Sequence, residues 1–208
     1  SGARDADRWA PDCPQQPWEP SATRAPSLDE DCLTLNVWTP SCDPAARLPV
    51  LVWCYGGSYL FGSASDPRCD GATFAAKGVV LVTVAYRVGL FGFFTHPQLT
   101  AASTHASSGN YGLLDTIAAL RWVRDHIDAF GGDPARVTAF GVSAGSASLS
   151  LLACSPLAEG CFDQLILQSP GAFRPLAAMA DADAAALAVG EDVDELRRLP
   201  WPALLERT

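Results

Sequence analysis

Short β-branched or aromatic runs alternate along the chain with segments of helical period, and this alternation limits the fold more than any other feature. The runs are Leu33–Trp38, Val50–Cys54, Val79–Ala85, Val137–Phe140 and Leu165–Leu167, each with the length and composition of a buried strand. Helices are predicted over Asp70–Ala76, Leu113–Phe130, Ala144–Ala153 and Ala177–Val189. In the second of these, Leu114, Ile117, Ala118, Leu120, Val123 and Ile127 share one face. Gly131-Gly132 ends it, because glycine readily takes the left-handed conformation found at helix ends. Strands separated by helices pair through crossovers instead of hairpins. The expected fold is therefore α/β, with a mostly parallel sheet flanked by helices and buried on both faces. Residues 10–31 are rich in proline and polar side chains and read as a long loop. Residues 192–208 read as two short helices broken at Pro200 and Pro202, with no closing strand.

Composition removes several classes of function. Fourteen Lys+Arg stand against 23 Asp+Glu, a net charge of −9. No basic patch exists to displace counterions from nucleic acid or to hold an anionic membrane. No apolar run is long enough to span a bilayer, and residues 1–12 lack the apolar core of a signal peptide. The hydrophobic share of 49% is that of a folded domain, not a disordered tail. Seven cysteines point to an oxidising, extracellular compartment, and the odd number leaves at least one thiol unpaired or paired with another chain. There is no CxxC pair, and His96, His105 and His126 stand far apart, so a structural zinc site is not expected.

Gly141-Val142-Ser143-Ala144-Gly145 lies between a predicted strand and a predicted helix. A serine on so sharp a turn needs very small neighbours, and Gly141, Ala144 and Gly145 supply them. Its Oγ would stand at the carboxyl end of the sheet, where the Ala144 N–H and the helix dipole favour a developing negative charge. An ordinary Gly/Ser-rich helix start would carry the same five residues. The second element is the strand Val50–Cys54 running into Tyr55-Gly56-Gly57-Ser58. Such a turn can aim main-chain N–H groups into a site instead of into a ladder, as acyl transfer requires. A plain strand and glycine turn is the alternative, but both elements occur in the order that acyl transfer needs.

At this point the chain resembles the type-B carboxylesterase/cholinesterase family of α/β-hydrolases. Glu30-Asp31-Cys32-Leu33-Thr34-Leu35-Asn36-Val37-Trp38 is similar to the family's amino-terminal signature. Phe130-Gly131-Gly132-Asp133-Pro134 leading to Gly141–Gly145 is similar to its serine signature. Ala85–Phe93, Gly109–Asp115 and Ile166–Ser169 resemble blocks between and after these. The resemblance implies one incomplete carboxylesterase domain over 1–208. It implies Ser143 as nucleophile and the N–H groups of Gly57, Ser58 and Ala144 as oxyanion donors. It implies a small-molecule carboxylic ester as substrate, with no metal or organic cofactor. It pairs Cys13 with Cys32, and Cys154 with Cys161 in a second short bridge. Cys42, Cys54 and Cys69 receive no family role, and Cys54 reads as a small buried hydrophobe.

Departures from the pattern carry their own expectations. Val142 stands where the family usually has glutamate, Ser58 replaces a third glycine, and Pro170 stands where a glycine is usual. Ala22 occupies the spacing of the choline-contacting tryptophan, with Trp18 nearby but unassigned, so choline specificity is not implied. No histidine follows Ser143, although this fold takes its triad in the order serine, acid, histidine. His96 reads as a surface-loop residue, His105 as part of a loop, and His126 as a solvated residue or cap. The acids from Asp181 to Glu195 read as helix-surface charges. The chain is thus expected to be the amino-terminal half of an esterase whose remainder supplies acid and histidine, as a processed piece or an incomplete product. The alternative is a non-catalytic, cholinesterase-like binding or adhesion scaffold.

Overall fold

The computed structural model describes residues 6–17, 22–169 and 177–208, so Trp18 and Pro170 lie outside the described residues. Five strands form one sheet: β1 (Leu35–Trp38), β2 (Leu48–Cys54), β3 (Val80–Val84), β4 (Gly132–Val142) and β5 (Gln164–Gln168). Their spatial order is β1-β3-β2-β4-β5. β1 runs antiparallel to β3, and the remaining pairings are parallel. The α/β expectation thus holds, with each predicted strand found within a few residues of its place.

The centre of the sheet is apolar on both faces because its residues are. Every residue of β3 is buried, as are Val50, Val52 and Cys54 of β2 and Val137 and Ala139 of β4. Helix α4 (Tyr111–His126) adds Ile117, Leu120 and Val123 to this core, and α5 (Ala144–Ala153) adds Leu149 and Leu152. Each such aliphatic side chain contributes about 1.5–3 kcal/mol by leaving water. A 3₁₀ turn over Ile127–Phe130 follows α4, and Gly131 at φ 73° closes it, as expected. A Cβ at Gly131 would lie 2.1 Å from the Ser41 carbonyl. The burial of Cys54 pushes its thiol up to about 12, so it behaves as the small hydrophobe anticipated.

Burial on both faces does not extend to β5. Ile166 is 48% exposed and Leu167 37%, since among the described residues β5 is the last strand of the sheet and pairs only with β4. Helices α1 (Ala72–Ala75), α2 (Gly89–Phe93), α3 (Pro97–Ala102), α6 (Met179–Val189), α7 (Val193–Leu196) and α8 (Trp201–Leu205) complete the structure. Helices α2 and α3 were not anticipated, since elements of one to two turns show no period. They correct the placing of His96 in a surface loop. Its ring is fully buried and caps α3, with Nδ1 accepting from the Gln98 N–H at 3.2 Å. Nε2 then carries the proton and donates to the Gly190 carbonyl at 3.2 Å, joining α3 to the segment after α6. His126 is exposed and stacks on Trp122. No described helix is long and apolar enough to cross a membrane.

One buried ion pair fixes the approach of α4 to the sheet. Asp115 accepts from Arg87 Nε and Nη2 at 2.8 Å each, and from the Arg87 main-chain N–H at 3.1 Å. The Asp115 side chain is 6% exposed and that of Arg87 34%. Removing one partner of a buried pair costs about 3–5 kcal/mol, and Arg87's partial access to water places Asp115→Ala near the lower figure. The melting temperature should fall by about 6–12 °C; a fall under about 2 °C would show that the pair does not hold α4.

All seven cysteines are free thiols in this structure, so neither Cys13–Cys32 nor Cys154–Cys161 is a bridge in it. Cys154 is exposed at the end of α5, whereas Cys161 is buried in the main core. Cys13 and Cys32 are both buried in a second cluster with Tyr55, Tyr86 and Val88. The neighbouring Cys32 side chain, followed by burial, pushes the Cys13 thiol up.

Candidate active site

One residue separates β4 from α5, and that residue is Ser143. Its backbone sits at φ 52°, ψ −119°, a conformation that costs a side-chain-bearing residue about 1–3 kcal/mol. The surrounding glycines explain how the turn forms. A Cβ on Gly145 would lie 2.2 Å from the Cys54 carbonyl oxygen and 2.5 Å from that of Tyr55. A Cβ on Gly141 would lie 2.7 Å from the Cys54 oxygen. The turn is therefore pressed against the carboxyl end of β2, where Cys54 pairs with Gly141. The Ser143 N–H donates to the Gln168 carbonyl at 2.9 Å, which ties the turn to the end of β5. Ser143 itself is exposed, while Ala144 is buried at the first position of α5, where helical N–H groups lack partners within the helix.

The chain leaving β2 passes directly beside this serine. A Cβ on Gly56 would lie 3.2 Å from the Ser143 Cβ. Gly57, Ser58 and Tyr59 then follow at φ 128°, 55° and 64°. Three successive residues in the left-handed half of the map demand strong support. The Gly57 carbonyl accepts from Leu60 and Phe61, and the Tyr59 carbonyl from Gly89. Tyr55 stacks on Tyr86 with ring centroids 4.2 Å apart, and each phenol donates to the other residue's carbonyl at 2.7 Å. Tyr86 was not singled out from the sequence, although it lies in the Ala85–Phe93 block. Neither Gly57 nor Ser58 donates its N–H to another main-chain group among the described residues. Both residues line the cleft at Ser143.

Ser143, Gly57 and Ser58 line one cleft of about 750 Å³. Its apolar wall includes Leu28, Trp53, Phe61 and Val142. Val142 thus occupies the cleft with an apolar side chain where a carboxylate would repel anions and attract cations. Asp12, Asp66 and Arg68 supply charge at the same cleft, and none of them was singled out from the sequence. Asp66 pairs with Arg68 at 2.5 Å. Although burial opposes its charge, that guanidinium holds the Asp66 carboxyl below its ordinary range. Cys69 also lines the cleft, and burial pushes its thiol up to about 11, so it stays protonated at neutral pH. His96, His105 and His126 are not among the lining residues. Among the described residues no group of His, Cys, Asp or Glu is arranged to hold a metal ion.

A strained serine at the carboxyl end of a parallel sheet, beside a glycine turn in one cleft, is matched by the comparison with protein families. The model described as "Carboxylesterase family" matches residues 1–195. The chain belongs to this family. It is 50% identical over 198 residues to fumonisin B1 esterase of Sphingopyxis macrogoltabida, covering 95% of this chain and 37% of that protein. It is 45% identical over 175 residues to para-nitrobenzyl esterase of Bacillus subtilis, covering 83% of this chain and 35% of that protein. Among solved structures, a carboxylesterase of Geobacillus stearothermophilus superposes with a TM-score of 0.80 at 41% identity, over 86% of this chain and 40% of that one. The chain therefore spans little more than a third of the curated relatives it matches. This carboxylesterase-family chain carries a partial α/β-hydrolase fold, and its relatives are ester hydrolases.

Proposed function

We propose that the chain is the nucleophile-bearing part of a serine carboxylic-ester hydrolase. The observation that carries this is the strained, exposed Ser143 lying against Gly56 and sharing a cleft with Gly57 and Ser58. Ser143 Oγ attacks the ester carbonyl carbon while a histidine from the remainder of the enzyme takes its proton. The carbonyl oxygen becomes an oxyanion and accepts from the N–H groups of Gly57, Ser58 and Ala144. The alcohol leaves with the proton from the imidazolium, and the acyl group stays on Ser143. Water then attacks the acyl carbon, gives its proton to the same histidine, and the acid departs as Ser143 regains its hydrogen. An acid from the remainder orients the histidine. The open edge of β5 is where that remainder continues the sheet. Leu28, Trp53, Phe61 and Val142 favour neutral, partly apolar esters.

Labelling tests the assignment of the nucleophile. A fluorophosphonate added to the intact protein should modify the peptide carrying Ser143 at one per active site and abolish ester hydrolysis. Hydrolysis that survives full labelling at Ser143, or inhibition with the label elsewhere, removes Ser143 from the reaction.

The adjacency of the Cys13 and Cys32 side chains supports a disulfide there in the secreted protein. Cys154–Cys161 is proposed as the second bridge on the family resemblance alone. Non-reducing peptide mapping of the native protein should recover residues 13 and 32 in one linked pair. Alkylation of both thiols without reductant would refute the bridge and the oxidising compartment with it.

A further inference from the structure

Beyond the nucleophile and the turn, the cleft contains a buried polar cluster with no part in the steps above. Asp12 is 7% exposed and lies in the amino-terminal segment. Its Oδ1 accepts from Ser63 Oγ at 2.7 Å and its Oδ2 from Thr23 Oγ1 at 2.6 Å. Ser65 Oγ lies 2.9 Å from both of those hydroxyls, closing the cluster. The Asp12 main chain is itself fixed, donating to Ser27 and accepting from Asp29 at 3.0 Å each. Three residues along, Gln15 pairs with Gly62 in both directions. Its Oε1 accepts from the Gly62 N–H at 2.7 Å, and its Nε2 donates to the Gly62 carbonyl at 3.0 Å. A second bond from Nε2 to the Cys13 carbonyl at 3.0 Å holds the amide in that orientation.

These contacts end on the leg of chain that leaves the Gly57–Ser58 turn. Gly62 is at φ 140°, and a Cβ there would lie 2.3 Å from the Tyr55 ring. Immediately before it, the Phe61 carbonyl sits so close to Gly57 that a Cβ on Gly57 would be 1.9 Å from its oxygen. The position of Gly62 and Ser63 therefore sets that of Phe61, and Phe61 sets the orientation of the Gly57 peptide. We propose that Asp12 and Gln15 are positioning residues that hold the Gly57 and Ser58 amides toward the reacting carbonyl. This rests on the ester-hydrolase reading of the site. Oxyanion donors act by being fixed before the charge develops, and a displacement of about 1 Å costs up to about 10²-fold in rate.

The surroundings of Asp12 also act on its charge. Burial, and after it the charge of Asp66, keeps its carboxyl above its ordinary range, despite the Ser63 and Thr23 hydroxyls. Tyr55 is the other titratable group that feels its charge. A folded-state value raised above the unfolded one means that the fold is favoured at low pH and loses that contribution as pH rises through the raised value. Ionising Asp12 is therefore harder in the folded protein than in the unfolded chain.

The test is kinetic, on the intact protein with a 4-nitrophenyl ester, each rate normalised to sites titrated by fluorophosphonate. Asp12→Asn and Gln15→Ala should each lower kcat by about 10–100-fold with KM changed by less than about threefold. Unchanged kcat in both variants overturns the proposal, as does a rate loss that disappears on normalisation. Ser143→Ala in parallel separates the two levels. An inactive Ser143→Ala beside fully active Asp12→Asn and Gln15→Ala refutes the positioning role alone, whereas an active Ser143→Ala refutes the reading beneath it.

Discussion

Ser143→Ala is expected to lower kcat/KM of the intact protein toward a 4-nitrophenyl ester by at least about 10⁴-fold, with the fold unchanged. The two halves of this expectation come from different parts of the geometry. In the proposed mechanism the hydroxyl is the only part of the residue that forms a bond to substrate, so its loss would remove the acyl-enzyme route entirely. The structural role of Ser143 lies instead in its backbone. Its N–H donates to Gln168 and its carbonyl accepts from Ala147, and both contacts survive in alanine. The strain at φ 52° is also nearly the same for either side chain. The stability change should therefore stay within about 0.5 kcal/mol. A variant that keeps most of the parent's rate would show that hydrolysis proceeds elsewhere, while a variant that unfolds would show that the hydroxyl itself holds the turn.

Gly145→Ala is expected to have the largest effect on the structure. The added methyl would stand 2.2 Å from the Cys54 oxygen and 2.5 Å from the Tyr55 oxygen, and neither is the movable end of a side chain. Both are main-chain atoms: Cys54 ends a central strand, in register with β3 on one side and β4 on the other, and Tyr55 follows it directly. Relief requires α5 to move away from β2, which separates Ser143 from the Gly56–Ser58 turn. Overpacking commonly costs about 1–3 kcal/mol where side chains can shift, and a clash with fixed backbone should exceed that range. Loss of soluble folded protein, or loss of at least about 10³-fold in rate in whatever folds, is the expected outcome. A variant of ordinary stability and rate would mean that the strand end and the helix start are farther apart than described. Gly78 and Gly160 provide the contrast, since a Cβ at either meets nothing within 4 Å. Their positive φ still strains a substitution there, but no packing partner need move.

Both predictions concern a motif that is legible in the sequence itself. Gly141, Ser143 and Gly145 stood out because a strand–turn–helix of this tightness tolerates so few residue types. The Tyr55–Ser58 turn stood out for a similar reason. Other parts of the site were silent in the sequence. Asp12 and Gln15 lie in a proline-rich stretch that reads as loop, and nothing local marks them. Their partners Ser63 and Gly62 are 51 and 47 residues away. His96 misled for a related reason. Phe94-Thr95-His96-Pro97 has the composition of a surface loop, yet the ring is buried because the segment around Gly190 packs over it.

Local chemistry thus determined the order of strands and helices, the residues able to occupy the sharp turn, and the apolar faces that make a buried parallel sheet. Those depend on steric and hydrophobic preferences acting over a few residues, which a sequence states directly. Tertiary structure alone decided that the end of β2 lies against Gly145 and that the amino-terminal loop reaches the far leg of the glycine turn. Such contacts join segments far apart along the chain. They exist only once the packing of the whole sheet has set the positions of both partners.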